Sequence, residues 1–246
     1  TNVALDHQNT LGNTVEEIAT EKAGIIKKNT VIISGDENEK VKSIIRNKAA
    51  ENNSDWVDAT LINVDLSSDL KGNYQQKNIK VVLAVIDELR NLGMEIPQEK
   101  VISGLLNVQQ NTGFIGRWFE FSKDPLIICD TGHNQAGLEE VFAQLNSIPK
   151  FKHIILGFVK DKKIDEVLKI LPENSTFYFA KPYLNRGLHP SFYEDQLKES
   201  KINYKIFDEV NGAYLSAKQN LKNGEMIFIG GSNFVVGEFL EKNLQK

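Results

Sequence analysis

Short apolar runs alternate with amphipathic stretches along almost the whole chain of 246 residues, a pattern typical of α/β proteins with mainly parallel strands. The spacing predicts helices over 15–27, 39–50, 78–92 and 98–107, and further helices that begin at 135, 163, 190, 212 and 233. Strands are predicted over 2–5, 30–34 and 56–66, and then over RWFEF, PLIICD, HIILGF, TFYFA, YKIF and MIFIG. This second group of strands, with helices between them, predicts a small doubly wound domain.

The segment QQNTGFIG, residues 109–116, interrupts the alternation and is interpreted as a linker. We therefore predict one domain over residues 1–112 and a second over 113–246. The chain is long enough for two modest domains that each bury a core. It begins without Met and in the middle of a predicted strand, so we expect it to be part of a longer polypeptide.

The first predicted helix carries a lysine among its apolar positions. Thr14 to Glu17 reads as a capping box that starts the helix, and Lys22 follows Ile18 by four residues, on the side of the apolar residues. An ammonium group in apolar surroundings is costly, so the side chain either extends its head to water or reacts as a neutral amine. A neutral amine can add carbon dioxide to form a carbamate, whose oxygens suit Mg²⁺. His7, at the adjacent strand end, could then supply a nitrogen ligand.

Polar residues follow four of the predicted strands, at 6–7, 130–134, 160–161 and 230–233. In open parallel sheets, ligands bind beyond the carboxyl ends of the strands. Asp, Asn, Gly and Ser are also the ordinary residues of turns and helix caps, so each loop by itself has a purely structural interpretation. Four such loops, two of them with a histidine, favour a site for a polar ligand.

Composition excludes some classes of function. A net charge of -4 and a pI ≈ 5.7 give no indication of binding to nucleic acid or to an anionic membrane. No apolar run approaches the ~20 residues that a membrane-spanning helix needs. Cys129 is the single cysteine, which excludes an internal disulfide and fits a reducing cytoplasm. We therefore expect a cytoplasmic protein with small-molecule partners.

Six motifs, in order along nearly the whole chain, resemble those of the folylpolyglutamate synthases and dihydrofolate synthases of the Mur ligase superfamily. LDHQNTLGNTVEEIATEKAGI at 5–25 is similar to the family signature, and GNYQQKN at 72–78 to a segment that ends in a nucleotide-binding Asn. The other four are GRWFE at 116–120, DTGHN at 130–134, GFVKDK at 157–162 and GGSNFVVGEFL at 230–240. They resemble the elements GR-x-E, DGAHN, G-x-x-x-DK and GS-x-x-x-x-GE.

The resemblance implies the last part of a central ATPase domain followed by a small, mainly parallel-sheet C-terminal glutamate ligase domain. Lys22 would be the carbamylated lysine and, with His7, a ligand of Mg²⁺. His133 would lie near the acyl phosphate or the incoming amino acid. The structural alternative for His133 is a histidine that binds local backbone at the start of a helix.

The resemblance also implies that Asn78, Arg117 and Asp130 contact ATP. A carboxylate such as that of Asp130 suits a ribose hydroxyl because it accepts hydrogen bonds. Arg117 would neutralise phosphate charge, and its structural alternative is a surface ion pair.

The chain departs from the family pattern in two loops and in what it lacks. Ile115 stands where the family usually has Pro, and Thr131-Gly132 stands where it has Gly-Ala, so the shapes of these loops are in question. The glycine-rich phosphate loop GxxxxGK[ST] and the acidic magnesium ligand near the DATN segment do not occur in the 246 residues. We expect both upstream of Thr1, and we expect the chain as given to be inactive by itself.

The implied reaction is ATP-dependent ligation of L-glutamate to a folate or pteroate carboxylate, for example of dihydropteroate or tetrahydrofolate. The carboxylate would attack the γ-phosphate to give an acyl phosphate and ADP, and the glutamate amine would then displace phosphate. Two alternatives stay open: a peptidoglycan Mur-type amide ligase, and a truncated, non-catalytic nucleotide-binding module.

Overall fold

The computed structural model describes residues 3–5, 8–160 and 164–244, apart from the side chains of residues 8 and 9. The chain forms two compact units, the first comprising Thr1–Asp69 and Asn73–Gly113 and the second Leu70–Gly72 and Phe114–Lys246. Among the described residues, no helix is long and apolar enough to cross a membrane.

The first unit contains a parallel pair of short strands and several helices. Its helices are α1 (Gln8–Leu11), α2 (Val15–Ala23), α3 (Glu39–Glu51), α4 (Gln75–Asn91), α5 (Gln98–Leu106) and α6 (Val108–Thr112), and its strands are β1 (Ile32–Ser34) and β2 (Trp56–Asp58). The predicted capping box is present: the Thr14 hydroxyl accepts the Glu17 N–H at 3.2 Å, and the Glu17 carboxylate accepts the Thr14 N–H at 3.1 Å. α3 makes the crossover that two parallel strands require.

Several predictions for the first unit were wrong in their extent. The strand predicted over 56–66 ends at Asp58, because the Asp58 carboxylate accepts hydrogen bonds from the Thr60 N–H at 3.0 Å and hydroxyl at 2.6 Å and begins a 3₁₀ turn. Val3 and Ala4 are not in a strand. α2 ends at Ala23 instead of continuing to 27, and part of the predicted linker is helical as α6.

The second unit is built on one central sheet. Its strands are β3 (Phe119–Lys123), β4 (Leu126–Cys129), β5 (Lys152–Leu156), β6 (Phe158–Val159), β7 (Ser175–Ala180), β8 (Gly187–Leu188), β9 (Tyr204–Phe207) and β10 (Met226–Gly230). Its helices are α7 (Gln135–Asn146), α8 (Ile164–Leu168), α9 (Glu194–Glu199), α10 (Val210–Asn220) and α11 (Asn233–Asn243). Among the described residues, six strands form a sheet in the order β3-β4-β10-β5-β7-β9. Only β3 is antiparallel to its neighbour, which confirms the predicted α/β class with a mainly parallel sheet.

Both faces of this sheet are buried, as its continuously apolar strands predict. On one face, alternate residues such as Ile155, Tyr178 and Ile229 pack with α10 and α11. The residues between them point to the other face, where Ile154 and Phe228 are equally buried. A sheet covered on both faces leaves its strand ends as the places where polar side chains gather.

Cys129, the last residue of β4, is fully buried in the core against α10 and α11. Burial raises the pKa of its thiol far above the ordinary value, and the negative charge of Asp130 raises it further. Because the thiolate is the reactive form of cysteine, this side chain is chemically inert in the folded protein.

A buried histidine in β5 connects β7 with the start of β10. The His153 ring lies 2.8 Å from the Tyr178 hydroxyl through Nδ1 and 2.9 Å from Glu225 Oε2 through Nε2. An ionised carboxylate only accepts hydrogen bonds, so Nε2 carries the hydrogen. Burial of Glu225 opposes its ionisation, but the hydrogen bonds from His153 and from the Lys222 N–H outweigh burial and hold the pKa of that carboxyl below its ordinary value.

Glu225→Gln is expected to weaken the acid sensitivity of the second unit. A carboxyl whose pKa is lower in the folded state stabilises the fold above its unfolded pKa, and this contribution is lost as the pH falls through the folded pKa. The free energy of unfolding of the wild type should therefore decline more steeply than that of Glu225→Gln below about pH 4.3. Urea unfolding across the acid range measures both slopes. Glu199→Gln, at an exposed glutamate of α9, is the control that should keep the wild-type slope, and equal slopes for wild type and Glu225→Gln would contradict the prediction.

Candidate functional site

The loop after β4 is organised around the carboxylate of Asp130. This residue is 1% exposed, and its N–H donates to the Ile229 carbonyl at 3.0 Å. One carboxylate oxygen accepts the Trp118 N–H at 2.8 Å, and the other accepts the Gly132 N–H at 2.7 Å. Hydrogen bonds from backbone N–H groups to an ionised carboxylate are among the stronger ones in proteins. Asp130 therefore ties the segment before β3 to the loop that follows β4.

Arg117 is placed beside this loop by the antiparallel pairing of β3 with β4. Phe119 pairs with Cys129, so the residues before β3 lie next to the residues after β4. The Gly116 carbonyl accepts the Thr131 N–H at 2.8 Å. Gly116 has φ +89°, in the left-handed region that glycine adopts without strain. The sequence Gly-Arg thus provides a tight turn followed by a half-exposed guanidinium.

A cavity of about 630 Å³ opens next to Arg117 in the second unit. Its walls are mainly apolar, and its polar groups come from Arg117, Thr131, Asn233 and Glu241; the apolar lining is Phe114, Ile115, Val236, Leu240 and Leu244. This volume lies within the range of small-molecule sites, which are mostly apolar with few polar groups. We call it the Arg117 cavity.

His133 lies in the same loop as Asp130, and it is half-buried. Its Nδ1 is 3.1 Å from the Thr131 carbonyl, which can only accept, so Nδ1 carries the hydrogen. The next residue, Asn134, caps α7 by accepting the Gly137 N–H at 2.8 Å. The predicted helix start at 135 is confirmed, and a backbone hydrogen bond fixes the orientation of the imidazole.

The end of β10 lies close to the Asp130 loop because its last residue, Gly230, has no side chain. A Cβ on Gly230 would lie 2.9 Å from the Asp130 carbonyl and 2.6 Å from the Phe228 ring. Ser232 then caps α11 by accepting the Val235 N–H at 3.2 Å. The structure thus places Arg117, before β3, next to the loop after β4 that carries Asp130 and His133, and the end of β10 lies beside this loop.

The remaining predicted site residues lie in the first unit or outside the described residues. Asn78 is in the first turn of α4, and its amide donates to Gln75 Oε1 at 2.7 Å. His7 lies outside the described residues, as do Asp161 and Lys162 of the GFVKDK motif. The role of Asn78 therefore stays a prediction.

The sequence leaves open whether the Lys22 side chain is buried among the apolar residues of α2 or reaches water. Its side chain is exposed, whereas Ile18 and Ala19, one turn earlier, are fully buried. Lys22 is the penultimate residue of α2. Of the residues that follow, Gly24 and Ile25 are exposed, Ile25 at 72%, whereas Ala23 and Ile26 are buried. The alternative in which the amine reaches water is the one the structure supports.

The described residues do not fit a magnesium site by themselves. Within the part of the chain that the structure describes, no three His, Cys, Asp or Glu side chains gather as a metal-binding group. Magnesium requires near-octahedral oxygen ligands, and an unmodified lysine supplies none.

α11 contributes to the Arg117 cavity, which the motifs did not predict. The sequence predicts only that this helix begins at 233, but Phe239 and Leu240 are buried and Leu244 lines the cavity. Val236, Leu240 and Leu244 recur every four residues, and this spacing is the signal that could have revealed an apolar face.

Comparison with known proteins identifies relatives over nearly the whole chain. Residues 116–233 match the family described as "Mur ligase, glutamate ligase domain". The dihydrofolate synthase/folylpolyglutamate synthase of Escherichia coli is 25% identical over 98% of this chain and 58% of its own length. The probable dihydrofolate synthetase of Schizosaccharomyces pombe is 26% identical over 96% of this chain and 63% of its own length.

Solved structures share the fold. E. coli FolC in complex with DHPP and ADP has a TM-score of 0.79 at 24% identity, covering 98% of this chain and 60% of that chain. Mycobacterium tuberculosis folylpolyglutamate synthase complexed with ADP and AMPPCP has a TM-score of 0.83 at 20% identity, covering 98% and 62%. The chain thus spans about three fifths of the length of these relatives.

Proposed function

We propose that this chain serves the ATP-dependent ligation of L-glutamate to a folate or pteroate carboxylate, because residues 116–233 match the family described as "Mur ligase, glutamate ligase domain". The observation that carries the proposal is the cavity lined by Arg117 and Thr131, next to the loop that Asp130 anchors and that also carries His133. The names of the relatives support the folate branch over a peptidoglycan ligase.

We propose that the Arg117 cavity receives the nucleotide. Its apolar walls suit a purine base, and the half-exposed Arg117 guanidinium suits phosphate oxygens, which it can bind in a forked geometry. The Thr131 hydroxyl lines the same cavity and can bind a further oxygen. The ADP named for the E. coli structure is consistent with this assignment.

Asp130 is better suited to positioning than to direct contact with ribose. Its carboxylate is buried and already accepts two backbone N–H groups, one of them from the residue after Arg117. A nucleotide hydroxyl could reach it only if the loop moved. We propose that Asp130 fixes the Arg117 turn against the end of β4, while a ribose contact stays a prediction.

The proposed chemistry proceeds through an acyl phosphate, and the protein contributes mainly position and charge. Arg117 would bind phosphate oxygens. His133 donates Nδ1–H to the Thr131 carbonyl, so in the neutral ring Nε2 is the acceptor and could take a proton from the glutamate amine before it attacks the acyl carbon. Phosphate would then leave as the amide forms.

The Lys22 carbamate and its magnesium stay predictions that burial does not support. The amine is exposed, so the desolvation that favours a neutral, reactive lysine is absent from the described structure. Carbon dioxide can reach an exposed amine, but the carbamate would need further partners to persist. For this reason the proposal rests on the second unit.

A non-catalytic nucleotide-binding module is the second candidate for the 246 residues by themselves. The observation that favours it is the absence of GxxxxGK[ST] from this sequence, since that loop supplies much of the phosphate binding in this superfamily. On this reading the chain binds nucleotide without glutamate-dependent release of ADP. A polypeptide that joins these residues to a phosphate loop would release ADP when glutamate and dihydropteroate are added.

Arg117→Gln is expected to weaken ADP binding to the 246-residue chain by about tenfold or more, because it removes charge-assisted hydrogen bonds to phosphate. Isothermal titration calorimetry measures both affinities. Arg186→Gln is the matched control, because this exposed arginine contacts the Phe234 ring and does not line the cavity. Equal losses in the two variants, or none in Arg117→Gln, would refute the assignment of the cavity to the nucleotide.

A further inference from the structure

A second cavity lies in the second unit at the amino ends of the parallel strands, where β5 and β7 begin. It has a volume of about 650 Å³, and its polar lining comes from Asn146, Lys150, Lys152, Glu173 and Asn174. We call it the lysine cavity. β5 runs from this cavity towards the side of the sheet that carries the Asp130 loop. Its five residues, at about 3.3 Å each, separate the two ends of the strand by about 15 Å.

Lys152, the first residue of β5, is the buried cation of this cavity. It is only 3% exposed, and its ammonium donates to the Lys150 carbonyl at 3.0 Å. An ammonium carries three N–H donors, and the described residues supply no acceptor for the other two. Burial lowers the pKa of Lys152, as expected where a charge leaves water without a counter-ion.

Lys150 adds a second positive charge to the same lining. Its ammonium donates to the Gly224 carbonyl at 2.9 Å, so it too is bound by a neutral oxygen. Among the described residues, no carboxylate oxygen lies within 4 Å of either ammonium. Glu173 lines the cavity, but it is exposed and forms no ion pair with these lysines.

Buried lysines are normally paired with an acidic group, because the loss of hydration has to be offset by hydrogen bonds and opposite charge. In the part of the chain that the structure describes, neither ammonium has an acidic partner, whereas the cavity offers space and N–H donors. We propose that the lysine cavity binds a small oxyanion, a phosphate or a carboxylate, with Lys152 as its principal ligand and Lys150 as a second cation. The side-chain amides of Asn146 and Asn174 can donate further hydrogen bonds to the anion.

This site is independent of the proposed ligation. None of its lining residues lines the Arg117 cavity, and the two lie at opposite ends of the strands. The oxyanion could be free phosphate, which the proposed reaction releases, or a small dicarboxylate. The two sources share the same recognition chemistry and need separate arms in the experiment.

Thermal unfolding of the 246-residue chain in sodium phosphate, in sodium succinate and in sodium chloride of equal ionic strength tests the site. A ligand bound only by the folded state raises the unfolding temperature with its concentration. We expect a rise with phosphate or succinate beyond that with chloride. Lys152→Met should weaken the apparent affinity by about tenfold or more, because it removes a charged hydrogen-bond donor.

Three further variants make the result decisive. Arg117→Gln removes the alternative anion site, and Lys123→Met removes an exposed lysine of β3, so both should keep the oxyanion-dependent rise. Lys150→Met should reduce it, and this variant decides the question if Lys152→Met does not fold. The proposal is overturned if neither oxyanion exceeds chloride, if Lys152→Met responds like the wild type, or if Arg117→Gln abolishes the effect.

Discussion

Asp130→Ala is expected to lower the free energy of unfolding of the second unit by about 4 kcal/mol. The substitution removes the acceptor of two short hydrogen bonds. The buried N–H groups of Trp118 and Gly132 then lose their carboxylate acceptor in a region closed to water. Each buried donor left unsatisfied costs about 1–3 kcal/mol, and more where the lost acceptor was charged. Urea unfolding followed by circular dichroism measures the difference.

Asp130→Asn separates the structural role from nucleotide contact. The amide keeps one acceptor oxygen and turns its NH₂ group towards the second donor, so about half of the loss is expected. Glu120→Ala, at an exposed carboxylate of β3, should stay within about 0.5 kcal/mol of the wild type. An Asp130→Ala protein as stable as Glu120→Ala would refute the anchoring role. If Asp130→Asn keeps the wild-type free energy of unfolding but loses ADP binding, direct contact with ribose is favoured instead.

Gly157→Ala is expected to destabilise the second unit by about 3 kcal/mol. Gly157 follows β5, and a Cβ there would lie 2.5 Å from the Ala180 carbonyl oxygen and 2.7 Å from Val235 Cγ2. The first of these atoms is backbone at the end of β7, which cannot yield without disturbing the sheet. Chemical denaturation measures the change in the free energy of unfolding, and the same measurement on a substitution at a second glycine gives a reference value.

Gly237→Ala is that reference. Gly237 lies within α11, is exposed, and has no atom within 4 Å of the position of a Cβ. Alanine should stabilise this helix by about 0.5–1 kcal/mol, because it lowers the entropy of the unfolded chain and has higher helix propensity. Opposite signs at 157 and 237 are expected. A neutral Gly157→Ala would mean that the backbone at the end of β5 is free to shift.

Local chemistry was readable from the sequence where a few neighbouring residues decide the structure. The capping box at Thr14, the Asn134 cap of α7 and the apolar strand PLIIC all depend on side chains within a few positions of one another. The strand-end rule marked Asp130 and His133, and the resemblance added Arg117. Arg117 lies beside their loop because β3 runs back beside β4.

Properties that depend on the extent of packing were not readable. The periodicity of α2 puts Lys22 near the apolar positions, but it does not show whether packing covers that side chain: Ala23 and Ile26 are buried, whereas Lys22 is exposed. In the same way, the cavity beside Arg117 exists because Leu240 and Leu244 meet residues 114–117, more than a hundred positions away in sequence. Lys152, a buried cation of the second unit, is a residue that no motif marks.

The inert thiol at the end of β4 makes the protein convenient for site-specific labelling. Thiol-directed dyes and spin labels require an accessible thiolate, and Cys129 offers neither access nor ionisation. It can therefore be left in place while a second cysteine is introduced at the surface, for example in Glu241→Cys at the rim of the Arg117 cavity. A fluorophore attached there would test the proposed binding of nucleotide to this cavity without a background signal from the native thiol.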